Sequence, residues 1–450
     1  MPPLPPLPFG TGRAMTRRSA LTLLLSATPL ARAWAAPGAE PGANGARPRP
    51  TDAADEPAVP ISFETFATRF AWGVNMPGLQ YERPDPSKAQ LDGAPIRPLD
   101  WKWDYLASKG IRLVRLPFLW EHTQPRLFGP LGLEMDGYGS NRRDPDRNSL
   151  QMIKSQVAKA EARGIKVVLE CKNYGARAVP DAAGSMAART GYGRGGKYAI
   201  GSPEVPHEAF ADFWHKMAAE FASDPTVIGF DIMNEPTKMV AGETWDTIPD
   251  GGRVWTQAAR QAIRAIREAG APQWIIVEGY SYATTGYWDR ANPDLHTLKD
   301  ADAMERLAFS PHLYFDANHS GTYKEAEARA PRSLDDDRSR MTRNVAVFKT
   351  WMDAHGFRHA FVGETGAPNT PDWQDIQEQF LLICRDNGWP VTLWGMWPRG
   401  EGNANVNDLT PIGGTKGVGG TETIAMETLG RLAAASAASG SPTVLPPRQP

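Results

Sequence analysis

The amino-acid sequence predicts a single α/β domain built as a parallel (β/α)8 barrel. Short runs rich in β-branched and aromatic residues recur along the chain at wide, regular intervals. Each run is continuously apolar, as expected for strands that are covered on both faces. Helical patterns separate the runs, which favours parallel strands joined by helices. A doubly wound sheet is the alternative, but such sheets rarely use eight regular units.

Eight strands are predicted, and several end in polar residues. In a barrel of this class, the carboxyl ends of the strands surround one mouth, where catalytic residues collect. Polar residues at the opposite end usually contribute to stability. The predicted strands span residues 70–75, 111–118, 165–171, 227–234, 274–279, 307–314, 360–365 and 391–397.

Helical patterns occupy the segments between these strands. Four of them end at a glycine, which is the residue that best terminates a helix. The segment "SLDDDRSR" predicts a helix start capped by Ser333, with a solvated acidic first turn rather than a metal site. The four helical patterns that end at a glycine span residues 149–164, 254–270, 339–356 and 375–388.

The two ends of the chain have a different composition from the body. Residues 1–36 are predicted to be a leader and export signal, possible twin-arginine type, in which Arg17 and Arg18 precede a short apolar run. Met15 is an alternative start. That run is too short for a convincing membrane span. Residues 37–60 are predicted to be a flexible linker, 61–432 the barrel, and 433–450 a low-complexity tail. We expect an exported, periplasmic or extracellular protein.

Composition excludes several classes of function. A net charge of −2 gives no reason to expect nucleic acid or an anionic membrane as partner. The 15 Trp and 11 Tyr residues mildly favour a carbohydrate site, because sugar rings stack on aromatic faces. Cys171 and Cys384 are too few for a disulfide framework or a zinc cluster, and are predicted to be buried and apolar. We expect a monomer that needs no metal or organic cofactor.

Two further patterns are interpreted conservatively. The segment "GYGRGG" at residues 191–196 matches a nucleotide-binding glycine motif, but no strand directly precedes it, so a mobile loop over the mouth is the better interpretation. Most of the histidines lack the spacing of metal ligands, namely His207, His215, His296, His319, His355 and His359.

Two glutamates at strand ends suggest the chemistry. Asn234 and Glu235 close the fourth predicted strand, and Glu364 closes the seventh, so both carboxyl groups should face one mouth. Cleavage of an acetal needs a proton donor and a nucleophile or base, and two carboxyl groups supply both. Arg115, predicted to end the second strand, is a candidate permanent cation beside the nucleophile. The motif Asn-Glu-Pro alone is a weak signal, and a helix cap is its alternative explanation.

Taken together, the motifs resemble glycoside hydrolase family 5, the cellulase-like retaining β-glycosidases. The resemblance implies that Glu235 is the acid/base and Glu364 the nucleophile. It implies that Asn234 binds the sugar 2-hydroxyl and that Trp394 is the sugar platform, with Trp397 less suited to that role. Arg115, His312 and Tyr314 would hold the carboxylates. The motifs are "WGVNMPG", "RLPFLWE", "CKNYG", "GFDIMNEP", "SPHLYFD", "FVGETG" and "TLWGMW".

One residue departs from the family pattern. Lys172 stands where the family usually has His, in the polar ring around the cleaved bond. It could keep Glu364 ionised, or reach a sugar hydroxyl or an acidic substituent. Alternatively, it could point sideways into an ion pair with Glu170 or Glu121. Glu121 and Glu170 are otherwise predicted to be structural ion-pair members.

The sequence leaves the roles of several other residues near strand ends undecided. Trp72, Trp120 and Tyr174 could line sugar subsites or pack in the core, with equal weight. Glu278 ends the fifth predicted strand and could support the site.

The function predicted first is a retaining endo-β-glycosidase acting on a β-1,4-linked glucan. A β-mannanase, an exopolysaccharide-trimming hydrolase and a non-catalytic glycan-binding barrel are the alternatives.

Overall fold

The computed structural model describes most of the predicted barrel. Every described residue belongs to one compact unit, Pro57–Pro450. The predicted leader, nearly all of the linker and the segment 191–196 lie outside the described residues. The described residues are 60–80, 82–84, 91–95, 98–132, 149–179, 197–300, 305–323, 333–397, 407–411 and 420–439.

Nine strands form one parallel sheet, which confirms the predicted (β/α)8 class. The strands are β1 (Trp72–Asn75), β2 (Leu113–Phe118), β3 (Lys166–Cys171), β4 (Val227–Asp231), β5 (Trp274–Glu278), β6 (Leu307–Ser310), β7 (His312–Tyr314), β8 (Val362–Gly366) and β9 (Val391–Leu393). Their order across the sheet is β6-β5-β4-β3-β2-β1-β9-β8-β7.

The sixth predicted strand is divided into two strands in the structure. The two strands lie at opposite edges of the sheet, and the chain that joins them closes the barrel. Only Pro311 separates β6 from β7, and these two strands are the edges of the sheet. Proline lacks the N–H group needed to continue a ladder. Single bridges between Phe309 and Ala360 and between Thr284 and His312 cross the junction. The chain therefore passes from one edge of the sheet to the other within one residue.

Helices cover the outside of the sheet. Two short antiparallel hairpins also occur, one pairing Glu82–Pro84 with Leu91–Pro95 and one pairing Ala176–Ala178 with Lys197–Ala199. The described helices are α1 (Phe63–Arg69), α2 (Asp100–Ser108), α3 (Trp120–Thr123), α4 (Ser149–Glu161), α5 (His207–Phe221), α6 (Ile248–Glu268), α7 (Trp288–Ala291), α8 (Leu334–Ala354), α9 (Pro371–Asp386) and α10 (Ile424–Ser439).

The predicted helix ends are confirmed. Gly164 and Gly270, which follow α4 and α6, have φ values of 63° and 76°, a left-handed conformation that favours glycine. At the other end, the Ser333 hydroxyl accepts a hydrogen bond from the backbone N–H of Asp336 and caps α8. Helices α6 and α9 begin several residues earlier than predicted, because their first turns carry acidic and proline residues rather than an apolar stripe.

The interior of the barrel is apolar at one end and charged at the other. At the amino ends of the strands, α1 closes the barrel, and Phe66 stacks on Phe361 with ring centroids 5.6 Å apart. Side chains such as Leu113 and Ile276 belong to this apolar layer, which seals one end against solvent. The other end of the same cavity holds the buried charges described below.

Several predictions about the core can now be assessed. Cys171 and Cys384 are buried and unpaired, as predicted. Trp120 is fully buried and stacks on Phe213 at 5.3 Å, so it is a core residue. Trp72 is also buried, and its indole N–H donates to the Ser436 hydroxyl at 3.1 Å.

The boundary predicted at residue 432 is too early. Helix α10 continues to Ser439, because the alanine-rich segment favours a helix. Ser436 of this segment contacts the barrel through Trp72, so the folded body includes it. Among the described residues, we find no helix with the length and apolar character that a membrane crossing requires.

Candidate active site

Arg115 lies at the bottom of the mouth and contacts four carboxylates. It is the third residue of β2 rather than the last, so the prediction that it ends this strand is wrong; its fully buried side chain reaches the site from below. Nε donates to Asp231 at 2.8 Å, and Nη2 to Glu278 at 2.5 Å. Nη1 donates to Oε1 of Glu364 at 2.8 Å and lies 3.0 Å from Glu170.

The carboxylates around Arg115 keep it charged. Burial by itself lowers the pKa of Arg115, but the four neighbouring carboxylates raise it well above its usual value. In return, burial raises the pKa of Asp231 to about 8, against the opposing effect of Arg115. Arg115 is therefore a fixed cation, while one of its buried partners can carry a proton at neutral pH.

Glu364, in the middle of β8, is held by a different set of donors at each oxygen. Oε1 accepts hydrogen bonds from Arg115 Nη1 at 2.8 Å and from Lys172 Nζ at 2.5 Å. Oε2 accepts one from the Tyr314 hydroxyl at 3.1 Å. The preceding residue must be glycine, because a Cβ atom on Gly363 would lie only 2.9 Å from the ring of His312.

This environment keeps Glu364 ionised. Burial alone raises the pKa of its carboxyl group, but the charges of Lys172, His312 and Arg115 outweigh burial and lower it to about 2. The side chain is only 5% exposed, so its two oxygens interact mainly with the surrounding protein groups.

Glu235 follows β4 and enters the mouth from a bent backbone. Its φ of 44° lies in the left-handed region, which costs a non-glycine residue roughly 1 kcal/mol or more. Its backbone N–H donates to Glu278 Oε2 at 2.6 Å, which holds this turn in place. The side chain is 17% exposed, more than that of Glu364, and its Oε1 lies 2.9 Å from His312 Nδ1.

His312 connects the two glutamates. Nδ1 pairs with Glu235 at 2.9 Å, Nε2 lies 3.1 Å from Glu278 Oε1, and Glu364 Oε2 is 3.9 Å from Nδ1. Burial lowers the pKa of His312, but the charges of Glu278 and Glu364 and the hydrogen bond to Glu235 raise it to about 10. The ring is therefore charged at neutral pH and loses its proton only as the pH rises through about 10.

The two predicted catalytic carboxyl groups meet at a short distance. One oxygen of Glu235, one of Glu364 and one ring nitrogen of His312 all lie within 4.8 Å of one another. Retaining glycosidases place their two carboxyl groups about 5–5.5 Å apart, whereas inverting enzymes need room for a water molecule between them. The separation is therefore compatible with a direct attack by one carboxylate.

Asn234 and Trp394 also lie beside Glu364. Asn234 Oδ1 accepts hydrogen bonds from Lys172 at 2.9 Å and Arg115 at 3.3 Å. Its buried Nδ2 has no hydrogen-bond partner among the described residues, so it can donate to a ligand. Trp394 follows β9, and the centre of its ring system lies 4.1 Å from Lys172 Nζ. Trp397 packs edge-on against Trp394 at 5.5 Å.

Two contacts that the sequence offered as alternatives for Lys172, one with Glu364 and one with Glu170, both occur. Its Nζ forms an ion pair with Glu170 at 3.3 Å and a shorter one with Glu364 at 2.5 Å. Glu121 instead accepts a hydrogen bond from Asn173 and lies 4.0 Å from Lys197. Glu121 and Glu170 are thus ion-pair members, as predicted, but Glu170 pairs within the site.

Three residues of the site were not predicted from the sequence, or were mentioned there only as possible support. Asn75, at the end of β1, accepts a hydrogen bond from Arg115 Nη1 at 2.9 Å. Asp231 and Glu278 complete the ring of acids around Arg115. The rule that polar residues at strand ends face the mouth could have identified Asn75 and Glu278. Tyr174, half-buried, has its ring 5.9 Å from Lys172 Nζ.

One group of described residues could in principle hold a metal ion. It comprises Glu235, His312 and Glu364. The raised pKa of His312, about 10, reflects the carboxylates around the ring, and a metal ion would have to displace a ring proton in order to bind there. The two carboxyl groups of this set can also carry out proton transfer and nucleophilic attack.

Sequence comparisons identify related proteins. The family model described as cellulase, glycosyl hydrolase family 5, matches residues 97–400. Endo-beta-1,4-glucanase B of Emericella nidulans is 31% identical over 66% of this chain and 72% of its own length. The manganese dependent endoglucanase Eg5A of Phanerodontia chrysosporium is 25% identical over 73% of this chain and 72% of its own length.

A structural comparison gives the same family. The structure of Pseudomonas stutzeri endoglucanase Cel5A in complex with cellobiose superposes with a TM-score of 0.61 at 27% identity. The match covers 84% of this chain and 97% of that one. The barrel and the family match together lead to one conclusion: the chain belongs to glycosyl hydrolase family 5 and is a glycoside hydrolase.

Proposed function

We propose that the protein is a retaining endo-β-glycosidase that hydrolyses a β-1,4-linked glucan through two glutamates. One oxygen of Glu235 and one of Glu364 lie within 4.8 Å of each other, and this short approach carries the proposal, because retaining enzymes hold their two carboxyl groups closer together than inverting enzymes do. The names of the relatives, which include endo-β-1,4-glucanases, support the substrate. Both glutamates and their hydrogen-bond partners are in place, which argues against a non-catalytic barrel.

In the first step, Glu364 attacks and Glu235 donates a proton. Glu364 Oε2 forms a bond to the anomeric carbon while the bond from that carbon to the leaving oxygen breaks. The proton of Glu235 goes to the leaving oxygen, which departs as a hydroxyl group. The lowered pKa of Glu364, about 2, means that the nucleophile is charged at any ordinary working pH.

In the second step, water releases the sugar. Glu235 takes a proton from the water, whose oxygen attacks the anomeric carbon, and the electron pair of the carbon–Oε2 bond returns to Glu364. Two inversions give net retention of configuration. During this step Arg115 stabilises the carboxylate that reappears, through the 2.8 Å hydrogen bond from Nη1 to Oε1.

Asn234 and Trp394 are proposed to bind the sugar that reacts. The unpartnered Nδ2 of Asn234 is a donor for the 2-hydroxyl group, a contact that strengthens in the transition state of this reaction. Trp394 offers an aromatic face next to Glu364 on which a sugar ring can stack.

A hydrolysis screen tests the proposal and its alternatives within the family. We expect the highest activity on soluble cellulose derivatives or mixed-linkage glucan, with the β-anomer as the first product detected by NMR. Mannan and a bacterial exopolysaccharide are the comparison substrates, since a β-mannanase or an exopolysaccharide-trimming enzyme would prefer one of these. An initial α-anomer would contradict the retaining mechanism.

Tyr282 is proposed to bind a sugar on the leaving-group side. It is 41% exposed, with a left-handed φ of 63°, in the loop that follows β5. This loop is fixed beside the acid/base, because the N–H of Ser281 donates at 2.8 Å to the carbonyl of Pro236. We expect Tyr282→Ala to raise KM for long cello-oligosaccharides about tenfold, the scale of one aromatic contact. Hydrolysis of an aryl cellobioside, which has no sugar there, should not change; equal losses on both would contradict this role.

Chelators are predicted to have no effect on hydrolysis. In the proposed mechanism, Glu235 and Glu364 of the Glu235–His312–Glu364 group supply both the proton donor and the nucleophile, so the reaction needs no metal ion. Incubation with EDTA followed by an assay in metal-free buffer should leave the rate unchanged. Activity that is lost and then restored by Mn²⁺ would show that this protein resembles its Phanerodontia relative in metal dependence.

Export to the periplasm or the outside is proposed from residues 1–36. The Arg17–Arg18 pair and the following apolar run carry this proposal. Fractionation of cells that produce the full chain, with and without Arg17→Lys and Arg18→Lys, would test it. The exported fraction should fall in the double variant if the pair directs export.

A further inference from the structure

We propose that Lys172 is a positioning residue that fixes Oε1 of Glu364 and thereby assists the departure of this carboxylate from the sugar. The inference rests on the proposed two-glutamate mechanism and adds a role for the residue at which the sequence departs from its family. It assigns Lys172 to the second half of the reaction rather than to substrate binding.

The ammonium group of Lys172 faces acceptors of the protein itself. Nζ contacts Oε1 of Glu364 at 2.5 Å, Oδ1 of Asn234 at 2.9 Å and Oε1 of Glu170 at 3.3 Å. An ammonium group has three N–H donors, and these three acceptors account for all of them. The remaining side of the group lies against Trp394, 4.1 Å from its ring centroid. This arrangement favours a brace inside the site over a contact with a sugar substituent.

The contacts also distinguish the two oxygens of Glu364. Oε1 accepts from both Lys172 and Arg115, whereas among the described residues Oε2 accepts only from the neutral Tyr314 hydroxyl at 3.1 Å. The less engaged Oε2 is therefore the oxygen that attacks the anomeric carbon. Oε1 then becomes the carbonyl oxygen of the glycosyl ester and stays between two cations.

Two cations at Oε1 act in opposite directions on the two steps. Before attack, they stabilise the free carboxylate and make it a weaker nucleophile. When water attacks the ester, the electron pair of the carbon–Oε2 bond returns to Glu364, and the same cations stabilise the carboxylate that forms. Lys172 therefore speeds the second step more than the first. The lowered pKa of Glu364, for which Lys172 is the foremost charged neighbour, is consistent with this effect.

The contact with Trp394 extends the same brace to the proposed sugar platform. A cation over a tryptophan face is attracted more strongly when both groups are desolvated. Lys172 is 3% exposed and Trp394 8% exposed, so this pair is largely desolvated. The nucleophile and the surface on which the reacting sugar stacks are thus held by one side chain.

The test is steady-state and pre-steady-state kinetics of Lys172→Met on an aryl cellobioside with a good leaving group. Such a substrate makes the second step rate-limiting, so we expect kcat to fall at least about tenfold and KM to fall with it. A burst of aryl alcohol should grow, and kcat/KM at neutral pH should change less than kcat. The acid limb of kcat/KM should move up by at least about one pH unit, because Glu364 loses its nearest cation.

Companion variants separate positioning from scaffolding. Lys172→Gln removes the charge in a second way if the Met variant folds poorly, and Lys172→Arg, which keeps a cation, should stay closer to the wild type in both kcat and the acid limb. Lys102→Met is the matched control, because Lys102 is also a buried lysine but donates to the Met396 carbonyl at 3.5 Å. It should lower the melting temperature without moving the acid limb.

Two results would overturn the inference. One is that the acid limb of kcat/KM stays in place in both Lys172→Met and Lys172→Gln. The other is that kcat and kcat/KM fall together in proportion to the loss of melting temperature, as expected for a scaffold residue such as Lys102. Either result with an inactive Glu364→Gln enzyme would reject only the role of Lys172. An active Glu364→Gln enzyme would instead reject the two-glutamate mechanism itself.

Discussion

Replacement of Glu364 by Gln is expected to abolish turnover while the barrel stays folded. An amide cannot supply the negative charge that forms the bond to the anomeric carbon, so the rate should fall by roughly 10⁴-fold or more. The Arg115 and Lys172 contacts at Oε1 survive only if the amide oxygen takes that position. Hydrolysis of a soluble cellulose derivative and a melting curve measure the two effects separately.

A small anion should restore part of the activity to a smaller variant. In Glu364→Ala, azide can enter the space left by the side chain and attack an activated glycoside, which gives a product of inverted configuration. Tyr314→Phe is the matched control, because it removes the hydroxyl that donates to Oε2 at 3.1 Å but leaves the carboxylate in place. Its rate should fall far less. Near-wild-type rates for Glu364→Gln would show that the nucleophile lies elsewhere.

Replacement of Glu235 by Ala is expected to separate substrates by their leaving groups. General acid catalysis contributes about 10²–10⁴-fold when the leaving oxygen is a poor one, so cello-oligosaccharides should lose that factor in kcat/KM. Aryl glycosides with very good leaving groups need no proton and should still form the glycosyl-enzyme. The expected pH profile loses its alkaline limb, since the group whose proton is needed is gone.

The second step of this variant provides an internal check. Azide needs no general base, so it should accelerate release of the sugar and give a product of retained configuration. His312→Gln is the companion variant, because His312 contacts Glu235 at 2.9 Å without being the proposed acid. An unchanged alkaline limb in Glu235→Ala, or equal losses for good and poor leaving groups, would contradict the role of Glu235.

The barrel could be predicted from the sequence because its signal is repetitive. Continuous apolar runs and glycine-terminated helices mark each unit, and the rule for strand ends places Glu235 and Glu364 in one mouth. The sequence could not show that Pro311 divides a strand, since proline is also tolerated at strand edges. It also misplaced the end of the body, because an alanine-rich helix and a low-complexity tail have the same composition.

The charged interior was harder to predict than the catalytic pair. Arg115 was selected as a strand-end residue although it sits mid-strand, and its partner Asp231 gave no such signal, because it lies inside a continuous apolar run. The ring of carboxylates around one arginine depends on which strands are neighbours, a property of the sheet order rather than of any segment. The contacts of Lys172 with Asn234 and Glu364 likewise join segments that are 62 and 192 residues apart in sequence.

The most direct measurement is identification of the residue that becomes glycosylated. A 2-deoxy-2-fluoro cellobioside with a good leaving group slows the second step and lets the glycosyl-enzyme accumulate. Protein digestion and mass spectrometry should then place one cellobiosyl adduct on Glu364, and Glu364→Gln should remain unlabelled under the same conditions. An adduct on another residue, or a wild-type enzyme that hydrolyses glucan with inversion and never accumulates an adduct, would contradict the two-glutamate mechanism.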